Sequence, residues 1–150
     1  MRGARDRAVA GRFLELLGAM KRFVREQLPS SAEEGLSEER FRTLLTLRYY
    51  GKGYLKTLAS HDGLSSSALC IMLNHTVEEG LAARTEDEED RRNVSYALTA
   101  AGSARLDAEM ERRTGLISAA LGRMQPAEKA RFAEAIDTAL SGIAKLGRAE

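Results

Sequence analysis

The apolar periodicity of the chain changes once between Ser65 and Thr99, and that change limits the fold more than any other feature. Up to Gly80 the apolar positions recur at helical spacing. Leu69, Met72, Leu73, Thr76 and Val77 fall on one face of a helix that Ser65 can cap and Gly80 can close. Beyond Gly80 the period shortens. Leu81–Thr85 and Val94–Thr99 read as two short strands, the second alternating Val94, Tyr96 and Leu98, and the polar stretch Glu86–Asn93 joins them as a hairpin loop. Just upstream, Tyr54–His61 reads as a short helix burying Leu55, Leu58 and Ala59, with Gly63 at its C-terminal cap.

Two short helices joined by a glycine-containing turn and followed at once by a β-hairpin form the winged helix-turn-helix plan. Longer helices flank it. From about Arg7 to Leu28, Val9, Phe13, Leu16, Leu17, Met20, Phe23, Val24 and Leu28 keep a helical period until Pro29-Ser30-Ser31 ends it. Ser37 reads as the N-cap of a second helix, with Glu38 and Glu39 in its dipole-favoured first turn; it carries Phe41, Leu44, Leu45 and Leu47 to the break at Gly51-Lys52-Gly53. Thr99 can cap a long helix with Leu106, Met110, Ile117, Leu121 and Met124 on its apolar side. After Gln125, Pro126 suits the first position of a last helix, which aligns Phe132, Ile136, Leu140 and Ile143. These outer helices are long for so small a middle. Their apolar faces need a partner, and a second copy of the chain is the simplest one. The expected fold is mainly α with a small β-hairpin wing. Residues 37–99 would form the winged helix-turn-helix, and 1–36 with 100–150 a helical dimerisation region, in one intertwined domain.

Composition agrees with a globular helical protein. Of 150 residues 43% are apolar, 5% are aromatic and only two are proline, which favours helices over a β-sandwich. No apolar run approaches the roughly 20 residues that span a bilayer. The basic start Met1–Arg12 leads into a charged amphipathic pattern instead of a secretion-type apolar block, so no membrane role and a cytoplasmic location are expected. Cys70 is the single cysteine, which rules out an internal disulfide and fits a reducing compartment. The net charge of +1 leaves nucleic-acid binding to be decided by local charge placement.

No catalytic constellation emerges. Ser65-Ser66-Ser67 has no general base beside it in sequence and no strained nucleophile turn, and there is no glycine-rich phosphate loop. His61 and His75 lack the companions of a zinc site, and Glu86–Asp90 lacks the glycine and ligand spacing of a calcium loop. No metal, no cofactor and no enzymatic activity are expected. Cys70 has no resolving cysteine and no cation nearby and reads as an inert thiol more readily than as a redox sensor.

The middle of the chain resembles the multiple-antibiotic-resistance regulator (MarR) family. The resemblance is carried by Leu58-Ala59, Leu64-Ser65-Ser66-Ser67, Glu79-Gly80-Leu81, Arg84, the block Asp87–Arg92, and Leu98-Thr99-Ala100-Ala101-Gly102, whose spacings match without a gap from Leu58 to Gly102. It implies a bacterial transcriptional regulator, an obligate homodimer of triangular outline with interlocking terminal helices. Each protomer would present one winged helix-turn-helix to a half-site of a near-palindromic double-stranded operator. Such regulators are usually repressors, often responsive to small phenolic or aromatic effectors. In the family, wing Asp residues pair with neighbouring Arg residues and hold the hairpin. Here Glu89 stands at the third position of the Asp-x-Arg-Asp-x-Arg pattern, leaving Arg91 and Arg92 as the wing's cations.

On this reading the helix from Ser65 to Glu79 is the recognition helix. Its outward face is Ser66, Ser67, Cys70, Ile71, Asn74 and His75. Ser65, Ser66 and Ser67 sit where a helix N-terminus meets phosphate, and Asn74 carries the donor–acceptor pair that reads adenine. Ala68 and Ile71 suit thymine methyls. No Lys or Arg lies on this helix. Tyr54–Thr99 holds four basic residues against eight acidic ones, opposite to what phosphate attracts. The cations on the hairpin would be Arg84, Arg91 and Arg92, and further positive charge would come from Arg48, Lys52 and Lys56 around the second and third helices. A ligand pocket would involve Tyr49, Tyr50, Met20 and Phe23, which read equally well as core or rim. The acidic middle also keeps open an alternative: a winged-helix protein–protein interaction module with weak or lost DNA binding.

Overall fold

In a computed structural model the described residues are 2–28, 35–62, 65–86 and 93–146. The elements run α1 (Arg2–Gln27), α2 (Glu38–Tyr50), β1 (Gly53–Tyr54), α3 (Leu55–Asp62), α4 (Ser66–Glu78), β2 (Ala82–Glu86), β3 (Val94–Leu98), α5 (Ala100–Leu121) and α6 (Pro126–Leu146). The order is the expected one, with three differences. Helix α1 begins at Arg2 instead of near Arg7. Its first turns are rich in Ala and Arg, strong helix formers that leave no apolar stripe to read. Met124 lies beyond α5, which ends at Leu121. The third difference is β1, which makes the hairpin a three-stranded antiparallel sheet of order β1-β3-β2. Gly53 pairs with Tyr96 and Tyr54 with Ser95. A two-residue strand has no alternation to detect. Gly53 packs closely on α3: a Cβ there would stand 2.7 Å from Leu58 Cδ2, so a larger residue would require the Leu58 side chain to shift.

The chain's contacts divide it into two units, 1–113 and 114–150. In the first, one apolar cluster holds the helix-turn-helix to the sheet: Leu47, Leu58, Ala59, Leu69, Leu73, Ala82 and Tyr96. A second joins α2 to α5 through Leu36, Phe41, Leu44 and Leu106. Each fully buried leucine contributes roughly 1.5–3 kcal/mol. The passage from sheet to α5 is tight. Thr99 Oγ1 donates to the Gly80 carbonyl at 2.7 Å and accepts from Gly102 N–H at 3.0 Å, capping the helix as its sequence predicts. A Cβ at Gly102 would fall 1.9 Å from the Leu81 carbonyl oxygen, so only glycine fits.

Charged groups also occupy this unit's interior. Glu109 is fully buried on α5 and accepts from Arg112 Nε and Nη2, Arg113 Nε and the Leu36 backbone N–H, at 2.7–3.3 Å. Arg113, also buried, donates through Nη1 to Glu38 at 2.7 Å and stacks 3.7 Å from the Phe41 ring centroid. The Arg112 guanidinium, against the cost of burial, and then Arg113 and the Leu36 amide hold the Glu109 carboxyl down to about 2.

The second unit comprises the end of α5 and α6. Helix α6 has no buried residue, and Phe132, Ile136, Leu140 and Ile143 lie exposed along it. No described helix is long and apolar enough to cross a membrane.

Candidate nucleic-acid interface

Helix α4 is anchored by one face and presents the other. Ser65 is its N-cap, its hydroxyl accepting from Ala68 N–H at 3.2 Å. Leu69, Leu73 and Thr76 are buried, with Met72 and Val77 half-buried beside them. Thr76 satisfies its hydroxyl on the Met72 carbonyl at 2.7 Å. The opposite face leaves Ser65, Ser66, Ser67, Ile71, Asn74 and His75 exposed. Ile71 is 59% exposed, an apolar side chain turned to solvent between the polar ones.

Ala68 and Cys70 are half-buried, at the edge of this face instead of on its crest. Asn74 turns its amide Nδ2 toward Cys70 Sγ at 3.8 Å, a weak contact. Beneath it lies the buried phenol of Tyr96 on β3. Burial, reinforced by the neighbouring Cys70 thiol, raises its pKa; Arg84, which hydrogen-bonds it, acts in the opposite direction. The Arg84 side chain from β2 therefore braces the sheet under α4 as well as reaching solvent.

Carboxylates oppose the cations around α4. Arg84 pairs with Glu86 at 3.3 Å and His75 with Glu78 at 3.4 Å, while Arg40 of α2 is bonded to Glu79 at the end of α4. Arg48, expected to add positive charge here, is instead bound to Asp107 at 2.7 Å and to the Ser103 carbonyl at 3.0 Å, tying α2 to α5. Lys52 and Lys56 are exposed around β1 and α3. Arg91 and Arg92, together with the Asp87–Asp90 wing tip and Gly63-Leu64, lie outside the described residues.

A groove of about 610 Å3 opens between α1 and the start of α2. Leu17, Met20, Val24 and Leu28 form its apolar side, and Lys21, Arg25, Arg42 and Glu38 its charged side. Of the four residues expected at a ligand pocket, Met20 lines it. Phe23, Tyr49 and Tyr50 do not; the two tyrosines stack edge to face at 4.8 Å with Tyr49 81% exposed. The described residues contain no group of three or more His, Cys, Asp or Glu placed to hold a metal ion.

Two features escaped the sequence: β1 and the Glu109 network. The spacing Glu109-x-x-Arg112-Arg113 signals an intrahelical ion pair. Nothing in it announces burial or the partnership with Glu38.

Comparisons with known proteins converge. A model described as the MarR family matches residues 36–94. The uncharacterized HTH-type transcriptional regulator YwhA of Bacillus subtilis is 31% identical over 99 residues, 66% of each chain. The HTH-type transcriptional repressor YetL of the same organism is 28% identical over 123 residues, 80% of this chain and 73% of its own. Among solved structures, Bordetella bronchiseptica BpsR, whose DNA binding is described as regulated by 6-hydroxynicotinic acid, shares the fold with a TM-score of 0.62 at 22% identity, over 86% of this chain and 96% of that one.

Proposed function

The chain belongs to the MarR family of transcriptional regulators, and from that premise we propose that it is a homodimeric, effector-responsive repressor whose α4 reads the major groove of a near-palindromic operator. The observation that carries the proposal is the two-sided α4: Leu69, Leu73 and Thr76 fixed in the core, and Ser66, Ser67, Ile71, Asn74 and His75 turned out. A helix held this way presents its N-terminal N–H groups and two serine hydroxyls to phosphate, with Ile71 and Asn74 a turn further along for base edges.

Residues 37–99 form the DNA-binding region in this reading, and 1–36 with 100–150 the dimerisation region. The support for dimerisation is exposed apolar surface. On α1, Val9, Leu14, Leu16, Leu17 and Met20 are 40–68% exposed, and on α6 Phe132, Ile136, Leu140 and Ile143 are 43–61% exposed. Such stripes, repeated over two long helices, fit a second copy of the same chain. Arg91 and Arg92 are assigned to the minor groove on family resemblance, Lys52 and Lys56 to phosphate. The protein would act in the cytoplasm, where its DNA lies.

An effector is proposed for the α1–α2 groove, which combines an apolar wall with Lys21, Arg25 and Arg42 and so suits a small acid with an apolar or aromatic body. Support comes from BpsR, of the same fold, whose DNA binding is described as regulated by 6-hydroxynicotinic acid.

Without an Arg or Lys on α4, the bidentate contact to guanine O6 and N7 is missing, whereas Asn74 suits adenine and Ile71 a thymine methyl. The proposed half-site is therefore A/T-rich under α4, with half-sites about 10 base pairs apart. Selection from a random DNA pool tests this. A/T-rich, near-palindromic winners are expected; half-sites dominated by G·C pairs at the α4 contacts would refute it. Recovery of no DNA would favour the protein–protein interaction module that the carboxylates around α4 keep in play.

A further inference from the structure

Helix α2 is lashed to α5 at both ends. At its C-terminal end Arg48 reaches Asp107 and the Ser103 carbonyl. At its N-terminal end Glu38 receives Arg113, which in turn is held by the buried Glu109. Between the two ties lies the apolar cluster of Phe41, Leu44 and Leu106. Apolar contact is non-directional and tolerates sliding. The charged hydrogen bonds fix register and angle. Helix α2 also carries Arg40, bonded to Glu79 at the end of α4, so the position of α2 is passed directly to the DNA-reading helix.

Two observations separate the Glu109 cluster from ordinary stabilisation. Arg113 Nη2 is buried without a hydrogen-bond partner among the described residues, an arrangement that costs stability. And the segment entering α2 is moulded onto the cluster: a Cβ at Gly35 would stand 2.9 Å from Arg112 Nη2 and 3.0 Å from Glu109 Oε2. Buried ion networks can serve to select one geometry among several, whatever their net contribution to stability.

We propose that Glu109 is a positioning residue for DNA binding: through Arg113, Glu38 and the Leu36 amide it fixes how α2, and with it α4, is carried by α5, and so sets the separation of half-sites that the dimer accepts. The proposal rests on the DNA-binding dimer put forward above. The hydrogen bonds that hold Glu109, Arg113 and Glu38 run among α5, α2 and the Leu36 amide, so the exposed face of α4 is unaltered when these residues are changed and each lobe keeps its own grip on DNA.

The test uses the 150-residue chain with Glu109→Gln and, as a guard against loss of folding by a buried change, the half-exposed Glu38→Gln as a second variant. Circular dichroism and sedimentation establish fold and oligomeric state. Fluorescent duplexes taken from the random-pool winners of the wild-type protein carry either one half-site or two, the two separated by the selected spacer or by one or two base pairs more or less. The wild type is expected to prefer its selected spacing by about tenfold or more. The variants should bind the single half-site within about twofold of wild type, yet discriminate spacings by no more than about threefold. A spacing preference retained in the folded variants would overturn the proposal. So would an equal loss of affinity for single and paired half-sites, which marks a merely structural role. Wild-type protein that selects no DNA would defeat the DNA-binding reading and this inference with it.

Discussion

Acid should weaken the protein through Glu109 in a way that can be isolated by one substitution. Its carboxyl lies at about 2 in the folded chain against an ordinary value of 4.5. A folded-state pKa below the unfolded one gives stability that is complete above the unfolded value and lost as pH falls through the folded one. At about 1.36 kcal/mol per unit the difference amounts to about 3 kcal/mol at neutral pH. Because the unfolded chain begins to take up the proton near 4.5, about 2 kcal/mol of this should be gone by pH 3. Other carboxylates titrate over the same range, but they do so in Glu109→Gln as well, so the difference between wild type and variant reports Glu109. The assay is urea unfolding of both proteins from pH 7 to pH 3 at fixed protein concentration and salt. The wild-type advantage should shrink by about 2 kcal/mol on descending that range. A gap that stays constant with pH would show that the carboxylate is not held by Arg112 and Arg113 as described.

Gly102→Ala should destabilise by roughly 3 kcal/mol or more in the same assay, because the new methyl meets the Leu81 carbonyl oxygen at 1.9 Å and backbone must move; a loss within about 0.5 kcal/mol would contradict the sheet-to-α5 geometry. Leu140→Asp places a charge in the middle of the α6 stripe and should convert a dimer into monomer or unfolded chain, read by sedimentation; a stable variant dimer would remove α6 from the interface. Arg91→Ala with Arg92→Ala should weaken DNA binding and flatten its salt dependence by up to about two units, one per lost phosphate contact. Unchanged affinity and slope would take the wing off the DNA.

Most of the fold was legible because it is written in local signals. Ser37, Ser65 and Thr99 cap helices where capping residues were expected, Gly51 and Gly80 adopt positive φ where breaks were expected, and Pro126 opens α6. The buried face of α4 followed from period alone. What stayed hidden depends on residues distant in sequence. Strand β1 exists only because β3 pairs with Gly53 and Tyr54. Arg48 reads as a cation for DNA until Asp107 and Ser103 are seen beside it. Ala68 and Cys70 fall on the outward half of a helical wheel, yet both are half-buried. Glu109 looks like a surface residue of an amphipathic helix, since burying a carboxylate makes sense only once two arginines and an amide converge on it.

The central claim is that this chain grips DNA electrostatically despite a wing and recognition region rich in carboxylates. The most direct measurement is the affinity of the wild-type dimer for a duplex selected from a random pool, followed by fluorescence anisotropy between about 50 and 200 mM salt. The account predicts that log affinity falls linearly with log salt, with a slope reflecting several phosphate contacts, about 0.9 per contact. A slope near zero, with affinity unaffected by salt, would contradict it and assign the exposed face of α4 to a protein partner.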